Sequence, residues 1–336
     1  MEHSWYKTID ISGHPGRSAE SPLIPPVRLI SGLFDNLSAS RTAPGLSVRC
    51  GILGIVLTTS EMAEVENIIR DVARTEILPR FGRLSAADIS EKAPGDLVTV
   101  ADRAAEAALT RRLTGLLPGS LVVGEEAVAG NPDLLKNLAG PEPVWIIDPI
   151  DGTHNYATDN PRFTTLVTLA QNGRLLASWT YAPILGTIAT AVTGGGAFID
   201  GQQVRVAPAE PGLRNLDVVI PQPKWWTPDL RRRFNALSAH AVALTYLDAA
   251  GLEYLQLVGG KRSALVLTWE NPWDHAAGLL LLAEAGGASV TLDGTPFKIA
   301  GGNALPFVAA VDARCAAELC AALIIGDDTM TALTSE

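Results

Sequence analysis

Cysteine is scarce in this 336-residue chain: Cys50, Cys315 and Cys320 form no Cys-x-x-Cys pair and no even set. That excludes a disulfide framework and a thiolate metal cluster, and fits a reducing cytoplasm. No apolar run reaches the 18 residues of a membrane span. The apolar segment 50–57 is too short to cross a bilayer and too far from Met1 for an ordinary signal peptide. Positive charge is also in deficit, 26 Lys and Arg against 36 Asp and Glu, for a net −10. Such a balance argues against a broad surface for nucleic acid or anionic membrane. No internal repeat of 20 to 50 residues is present. Gly194-Gly195-Gly196 is followed by no Gly-Lys-Ser/Thr, so it is not a phosphate loop, and close packing between strands accounts for it better.

What the chain does have is apolar material, 47% of its residues, enough for one large domain or two intimate halves. Residues 1–57 carry scattered Pro, Ser and Arg without sustained period and read as a poorly ordered extension, with a weakly patterned helix over 29–37. Met62 is a sensible alternative start. From about Thr59 the apolar residues Val65, Ile68, Ile69, Val72, Ile77, Leu78 and Phe81 predict an amphipathic helix. A polar loop is expected over 82–95, then a brief strand (96–102) leading into a helix (104–117). The stretch 121–124 predicts another strand, ending on Glu125-Glu126. Beyond 160 the chain is β-rich, with a hairpin at Asn172-Gly173. Past about 208, strands and helices alternate, as in an α/β layer. The expected division is therefore 58–208 as an α+β half, 209–326 as an α/β half, and 327–336 as a frayed tail.

The chemistry concentrates in acids. Trp145-Ile146-Ile147 reads as a short buried strand, and Asp148-Pro149-Ile150-Asp151-Gly152-Thr153 as a turn straight after it. Like charges so close are pushed toward protonation unless a cation compensates them. Oxygen-only ligands suit a hard cation, Mg2+ above all. By itself the pair reads equally well as an acidic turn capping the next helix. Asp102, at a helix start, is most often a cap, worth roughly 1 kcal/mol. Asp274 enters an apolar, buried helix at its first turn, where capping alone would account for it. Glu125 and Glu126 fall where a strand ends, the place where sites of α/β proteins gather.

Four signatures stand in one order: Asp96-Leu97-Val98-Thr99-x-x-Asp102, Gly124-Glu125-Glu126, Trp145 to Thr153, and Trp273-Asp274-x-Ala276-Ala277-Gly278. Together with the Gly196-Ala197-Phe198 segment they resemble the inositol monophosphatase family of Mg2+-dependent, lithium-sensitive sugar phosphatases, over roughly 62–325. The resemblance implies a layered αβαβα sandwich, two or three Mg2+ ions, a small phosphorylated metabolite as substrate, and a cytoplasmic homodimer. It implies Glu125, Asp148 and the Ile150 carbonyl as ligands of one ion, and Asp148, Asp151 and Asp274 as ligands of a second. Glu125 would help hold a third through water. Asp102 and Thr153 would orient and deprotonate the attacking water. Asp151, Gly152, Thr153 and Asp274 would lie against phosphate or substrate, the amides opening the helix at Gly152 holding phosphate oxygens.

The match departs in one place. Relatives acting on inositol phosphates carry a Glu seven residues before the Asp of the Trp-Asp pair, and here that position is Leu267. Leucine accepts no hydroxyl hydrogen bond, which puts inositol itself in doubt and keeps histidinol phosphate, fructose bisphosphate or 3'-phosphoadenosine nucleotides open as substrates. A regulatory binding protein that retains the fold is the alternative outside enzymes, against which the intact carboxylates weigh. His154 is read as a rim residue, Trp225-Trp226 as packing, and Lys261-Arg262 as a solvated turn.

Overall fold

The computed structural model describes residues 57–214 and 216–328. The extension expected over 1–57 (Leu57 apart), its weak helix and residues 329–336 lie outside the described residues.

Helix α1 (Thr59–Val72) starts in a capping box, in which the Thr58 hydroxyl accepts from the Glu61 amide and the Glu61 carboxylate accepts from the Thr58 amide. Its stripe of Val65, Ile68, Ile69 and Val72 is buried, and a π turn carries the chain on through Ala73–Ile77. The stretch expected as a polar loop contains a strand instead: β1 (Ile89–Ala93) pairs antiparallel with β2 (Asp96–Thr99). Ile-Ser-Glu-Lys-Ala lacks the alternation of a half-buried strand because neither face of β1 joins the core, so main-chain pairing alone defines it. Helix α2 (Val100–Leu116), β3 (Leu121–Gly124), α3 (Glu125–Gly130), β4 (Val144–Asp151) and the short α4 (Thr153–Ala157) follow.

A meander comes next: β5 (Thr164–Gln171), β6 (Arg174–Ala182), β7 (Thr187–Val192), β8 (Gly196–Ile199) and β9 (Gln202–Val204). With β3 and β4 these make a seven-stranded sheet in sequence order, parallel only between β3 and β4. Asn172 and Gly173, at φ 52° and 71°, form the expected two-residue turn between β5 and β6. The glycine triplet does hold an anion, but one of the protein's own: the Gly194 and Gly196 amides donate to the two oxygens of Glu284 at 2.8 and 2.9 Å.

The second sheet is built from β10 (Asp217–Ile220), α5 (Pro228–Ala239), β11 (Ala243–Tyr246), α6 (Ala250–Val258), β12 (Ala264–Leu267), α7 (Pro272–Glu284), β13 (Ala288–Thr291), β14 (Phe307–Ala310) and α8 (Ala313–Asp328). Its order is β11-β10-β12-β14-β13, with the first three strands parallel. Alternate residues of this sheet serve opposite layers, as the pleat requires. Val219, Leu265 and Leu267 pack with Tyr254, Leu257 and the Leu279–Leu282 run of α6 and α7. Val218, Ile220 and Val266 pack with Phe234 and Leu237 of α5 and with Leu319 and Leu323 of α8. Across the seven-stranded sheet, Trp145, Val167 and Trp179 pack under α1 and α2. The layers thus run αβαβα, with α6 and α7 between the sheets.

Candidate active site

In a regular strand, residues three apart point to opposite faces, so Asp148 and Asp151 could not share a site. β4 resolves this with a bulge. Asp148 pairs with Leu166 and Asp151 with Thr164, so two residues, Pro149 and Ile150, oppose the single Thr165. The strand therefore runs on to Asp151, where the sequence suggested a turn after Ile147. Pro149 sits where its missing N–H breaks no ladder bond, and its carbonyl accepts from the Thr165 hydroxyl at 2.9 Å. Gly152 then turns the chain at φ 91°. A Cβ there would lie 3.0 Å from the Ala249 side chain and 3.1 Å from the Arg162 carbonyl.

The bulge brings Asp148 and Asp151 together, and the start of α7 adds Asp274: one carboxylate oxygen from each lies within 4.8 Å of the others. Asp148 is buried and its Oδ1 has no hydrogen-bond partner. Its carboxyl is raised well above the ordinary carboxylate range, by burial first and then by the charges of Glu125, Asp151 and Asp274. Asp274 is raised by burial and by the same like charges from Glu125 and Asp151. Its Oδ2 accepts from the Trp269 indole at 2.5 Å and the Asn271 amide at 3.3 Å, both side chains, so the expected backbone cap is not what holds it. Three close carboxylates, one with an orphaned oxygen, form an all-oxygen donor set with excess negative charge, which fits a hard divalent cation.

Asp151 is gripped by α6. The Ala250 amide donates to Oδ1 at 3.0 Å, and the Gly251 amide to Oδ2 at 2.7 Å, where the Thr164 hydroxyl also donates at 2.7 Å. Burial raises this carboxyl too, against those three donors.

Glu125 opens α3 beside the triad, and its charge is among the causes of the rise at both Asp148 and Asp274. Its strongest contact is one the sequence did not signal: Lys92 of β1 lies 2.5 Å from Glu125 and 3.1 Å from Glu126. Burial alone would lower the Lys92 ammonium, but the carboxylates of Glu125, Glu126 and Asp96 together more than reverse this and raise it. Glu106 of α2 was equally hidden. It accepts from the Glu126 and Ala127 amides, both at 2.8 Å, and so fixes the first turn of α3. Burial pushes its carboxyl up to about 7.

Asp102 fills both roles open to it. As the third residue of α2 it completes a capping box, its Oδ2 accepting from the Thr99 amide at 2.8 Å and the Thr99 hydroxyl at 2.6 Å. Its Oδ1 lies 3.3 Å from the Thr153 hydroxyl, which is also 3.0 Å from the Ile150 carbonyl. Burial pushes Asp102 up to about 6, with the Thr99 bonds opposing.

Among the remaining residues, Leu267 is fully buried in β12, and nearby Glu270 is committed to the Asn303 amides. His154 is exposed. Trp226 packs on Phe234, as expected, while Trp225 is 53% exposed beside Lys224. Arg262 is no solvated turn residue: it lies against buried Glu253 at 3.2 Å and pairs with Asp217 at 3.0 Å. Its partners are remote in sequence, which is why the sequence misleads.

Known proteins resemble this chain in sequence and fold. The sequence model of the inositol monophosphatase family matches residues 59–323. An inositol monophosphatase of Dictyostelium discoideum is 33% identical over 210 residues, 61% of this chain and 76% of its own. A fructose-1,6-bisphosphatase/inositol-1-monophosphatase of Aquifex aeolicus is 30% identical over 67% of this chain and 84% of its own. Among solved structures, the Staphylococcus aureus inositol monophosphatase II, crystallised with inositol monophosphate, superposes with a TM-score of 0.65 at 21% identity, over 81% of this chain and 98% of its own. With the family's span covering both sheets and every acid described above, the chain belongs to the inositol monophosphatase family.

Proposed function

We propose that this family member is a Mg2+-dependent phosphatase that hydrolyses a small polyol or sugar phosphate monoester through attack by water. One observation carries the reading: Asp148, Asp151 and Asp274 converge within 4.8 Å, with a buried Asp148 oxygen left unpartnered. In this reading Asp148, Asp151 and Asp274 hold one ion. Glu125, Asp148 and the Ile150 carbonyl hold another, and Glu125 helps hold a weaker third through water. Bound there, the ions supply an acidified water and positive charge for the attacking and leaving oxygens.

The chain's own groups do the rest. Thr153 orients the water through its hydroxyl, with Asp102 Oδ1 in reach at 3.3 Å. Asp102 is the proton acceptor. Its Oδ2 is occupied by Thr99, so Oδ1 is the basic atom, and a carboxyl raised to about 6 is matched to a base working near neutrality. The Gly152 and Thr153 amides lie against phosphate oxygens, where a Cβ at Gly152 would leave no clearance from Arg162 and Ala249. Leu267 offers no acceptor to a ring hydroxyl, so inositol recognition cannot rest on that position.

Phosphate release from a panel of monoesters, with Mg2+, with EDTA and with added Li+, tests the reading. Mg2+-dependent turnover is expected, with inhibition by Li+. No turnover on any monoester, or turnover undiminished by EDTA, overturns it. A homodimer is part of the proposal, and sedimentation of the purified chain as a monomer at micromolar concentration contradicts it. A cytoplasmic location is supported by the free, buried thiols of Cys315 and Cys320. No helix among the described residues is long and apolar enough to cross a membrane. Cell fractionation tests the location.

A further inference from the structure

We infer that Trp269 is a positioning residue that sets which divalent cation the site prefers: its indole leaves Asp274 a single free oxygen, which favours Mg2+ over Ca2+. This rests on the phosphatase reading above and adds to it the origin of metal selectivity. Trp269 lies in the loop from β12 to α7, and that loop is closed on itself. The His275 ring nitrogen Nε2 is 3.0 Å from the Trp269 carbonyl. A carbonyl only accepts, so Nε2 carries the hydrogen and donates. His275 is fully buried, with its ring edge-on to Phe307 at 5.0 Å and to Phe297 at 5.7 Å, and the Trp269 ring packs on it at 5.1 Å. Pro272 opens α7 with its φ already fixed near the helical value. Two successive residues of α7 thus hold Trp269 at both ends: His275 its backbone, Asp274 its indole.

A carboxylate offers about four lone-pair sites on two oxygens. On Asp274, Trp269 Nε1 at 2.5 Å and Asn271 Nδ2 at 3.3 Å take both sites of Oδ2. Only Oδ1 is left to an ion. Asp151 carries the same device, made from other donors. The Gly251 amide and the Thr164 hydroxyl fill its Oδ2, and the Ala250 amide takes one site of Oδ1. Two of the three clustered aspartates can therefore give an ion one oxygen each and not two. Ca2+ takes more oxygens in flexible geometry, often both oxygens of one carboxylate. Mg2+ demands a near-ideal octahedron, which the narrow bite of a two-oxygen carboxylate would distort. A donor set that withholds second oxygens suits the smaller ion. At Asp151 the withholding is done largely by backbone amides, whereas at Asp274 it is done by side chains, Trp269 foremost.

The test titrates the metal-free full chain with MgCl2 and, separately, with CaCl2, and reads an apparent Kd for each from the rise in melting temperature. It compares the wild type with Trp269→Phe, which keeps an aromatic ring but loses the N–H, and with Asn271→Ala, which removes the weaker donor. In Trp269→Phe the Mg2+ Kd should rise about tenfold or more, the range for a lost outer-sphere partner of a metal ligand. The freed Oδ2 can join Ca2+ as a second oxygen, so the Ca2+ Kd should change much less. The ratio of the Ca2+ Kd to the Mg2+ Kd should therefore fall about tenfold. Asn271→Ala should move that ratio in the same direction by a smaller factor. Melting in EDTA checks that each variant folds, and if Trp269→Phe does not, Asn271→Ala decides. A ratio that is unchanged or rises in the folded variants overturns the inference, and so does a wild type that binds Ca2+ more tightly than Mg2+. Either result leaves the phosphatase reading in place. A wild-type chain that binds neither ion removes the metal cluster, and with it both the phosphatase reading and this inference.

Discussion

The Gly251 amide donates to Asp151 across 2.7 Å, joining residues one hundred positions apart and tying the second sheet's helix α6 to the bulge of β4. The bond exists because residue 251 has no side chain. A Cβ there would overlap the Thr164 hydroxyl and lie 2.7 Å from Leu166. Gly251→Ala should therefore push α6 away from Asp151. Overpacking of this kind costs about 1–3 kcal/mol, and urea unfolding should register that loss. The Mg2+ concentration for half-maximal activity should rise as well. A normal Mg2+ curve in the variant would separate α6 from the metal site.

The three clustered aspartates predict how each substitution affects activity. Asp148→Asn, Asp151→Asn and Asp274→Asn should each lower kcat/KM by more than about 100-fold, beyond what changes to outer-sphere partners cost. Circular dichroism should show the fold retained. Near-normal turnover at saturating Mg2+ in any one variant contradicts that residue's role as a ligand.

The same cluster sets a pH dependence for the metal-free chain. Asp102 is pushed up to about 6, Glu106 to about 7 and Asp274 to about 8, and Asp148 is raised well above the ordinary carboxylate range. Acids with raised folded-state values bind protons that the unfolded chain has released, so stability is full below about pH 4 for these groups and falls as pH climbs through 6 to 8. In EDTA the melting temperature should drop between pH 5 and pH 8, and excess Mg2+ should reverse most of that drop at pH 8. A melting temperature in EDTA that rises over this range would mean the acids are not stressed by burial and like charge.

How much of this was legible in the chain depends on sequence distance. Asp148 and Asp151 stood out because they are adjacent in one motif, although the bulge that turns them to one face is a matter of pairing with Leu166 and Thr164. The α/β alternation of the second half followed from the order of strands and helices, whereas the layered sandwich was implied only by the family resemblance; the apolar Leu279–Leu282 run lies between the sheets. Asp274 joined the site only through family resemblance. Lys92 and Glu106 gave no signal. Lys92 sits in a strand without alternation, and Glu106 in a helix whose polar residues look like solvated surface. Arg262 was misread for the same reason, since its partners Asp217 and Glu253 are fixed by topology rather than by neighbours in the chain.

Lys92 offers a sharper test of the acidic cluster. Its ammonium compensates Glu125 and Glu126, and all three side chains are at most 15% exposed. Lys92→Met leaves two adjacent, largely buried carboxylates without their cation. Breaking a buried pair from one side costs about 3–5 kcal/mol. The loss should be largest in EDTA at pH 8 and smaller with excess Mg2+, if the ion takes over the compensation. An equal loss with and without Mg2+ would place Glu125 outside the metal's reach.

The proton acceptor can be tested by tuning it rather than removing it. Asp102→Asn should lower kcat by about 10²–10⁴-fold, the range for a positioned acid or base, but such a loss has several readings. Thr99 permits a finer measurement. Its hydroxyl donates to Asp102 Oδ2 at 2.6 Å, and this bond opposes the rise caused by burial. Thr99→Val keeps the shape and the backbone donor but deletes the hydroxyl, so Asp102 should become harder to deprotonate. The acid limb of the kcat/KM profile, expected at or below about pH 6 in the wild type with cations bound, should then move to higher pH. The plateau above it should stay near the wild-type rate. The lost cap of α2 costs about 1 kcal/mol, visible as a lower melting temperature but not as a displaced limb. A limb that stays in place while the plateau falls would show that Asp102 supports the fold of α2 and takes no proton.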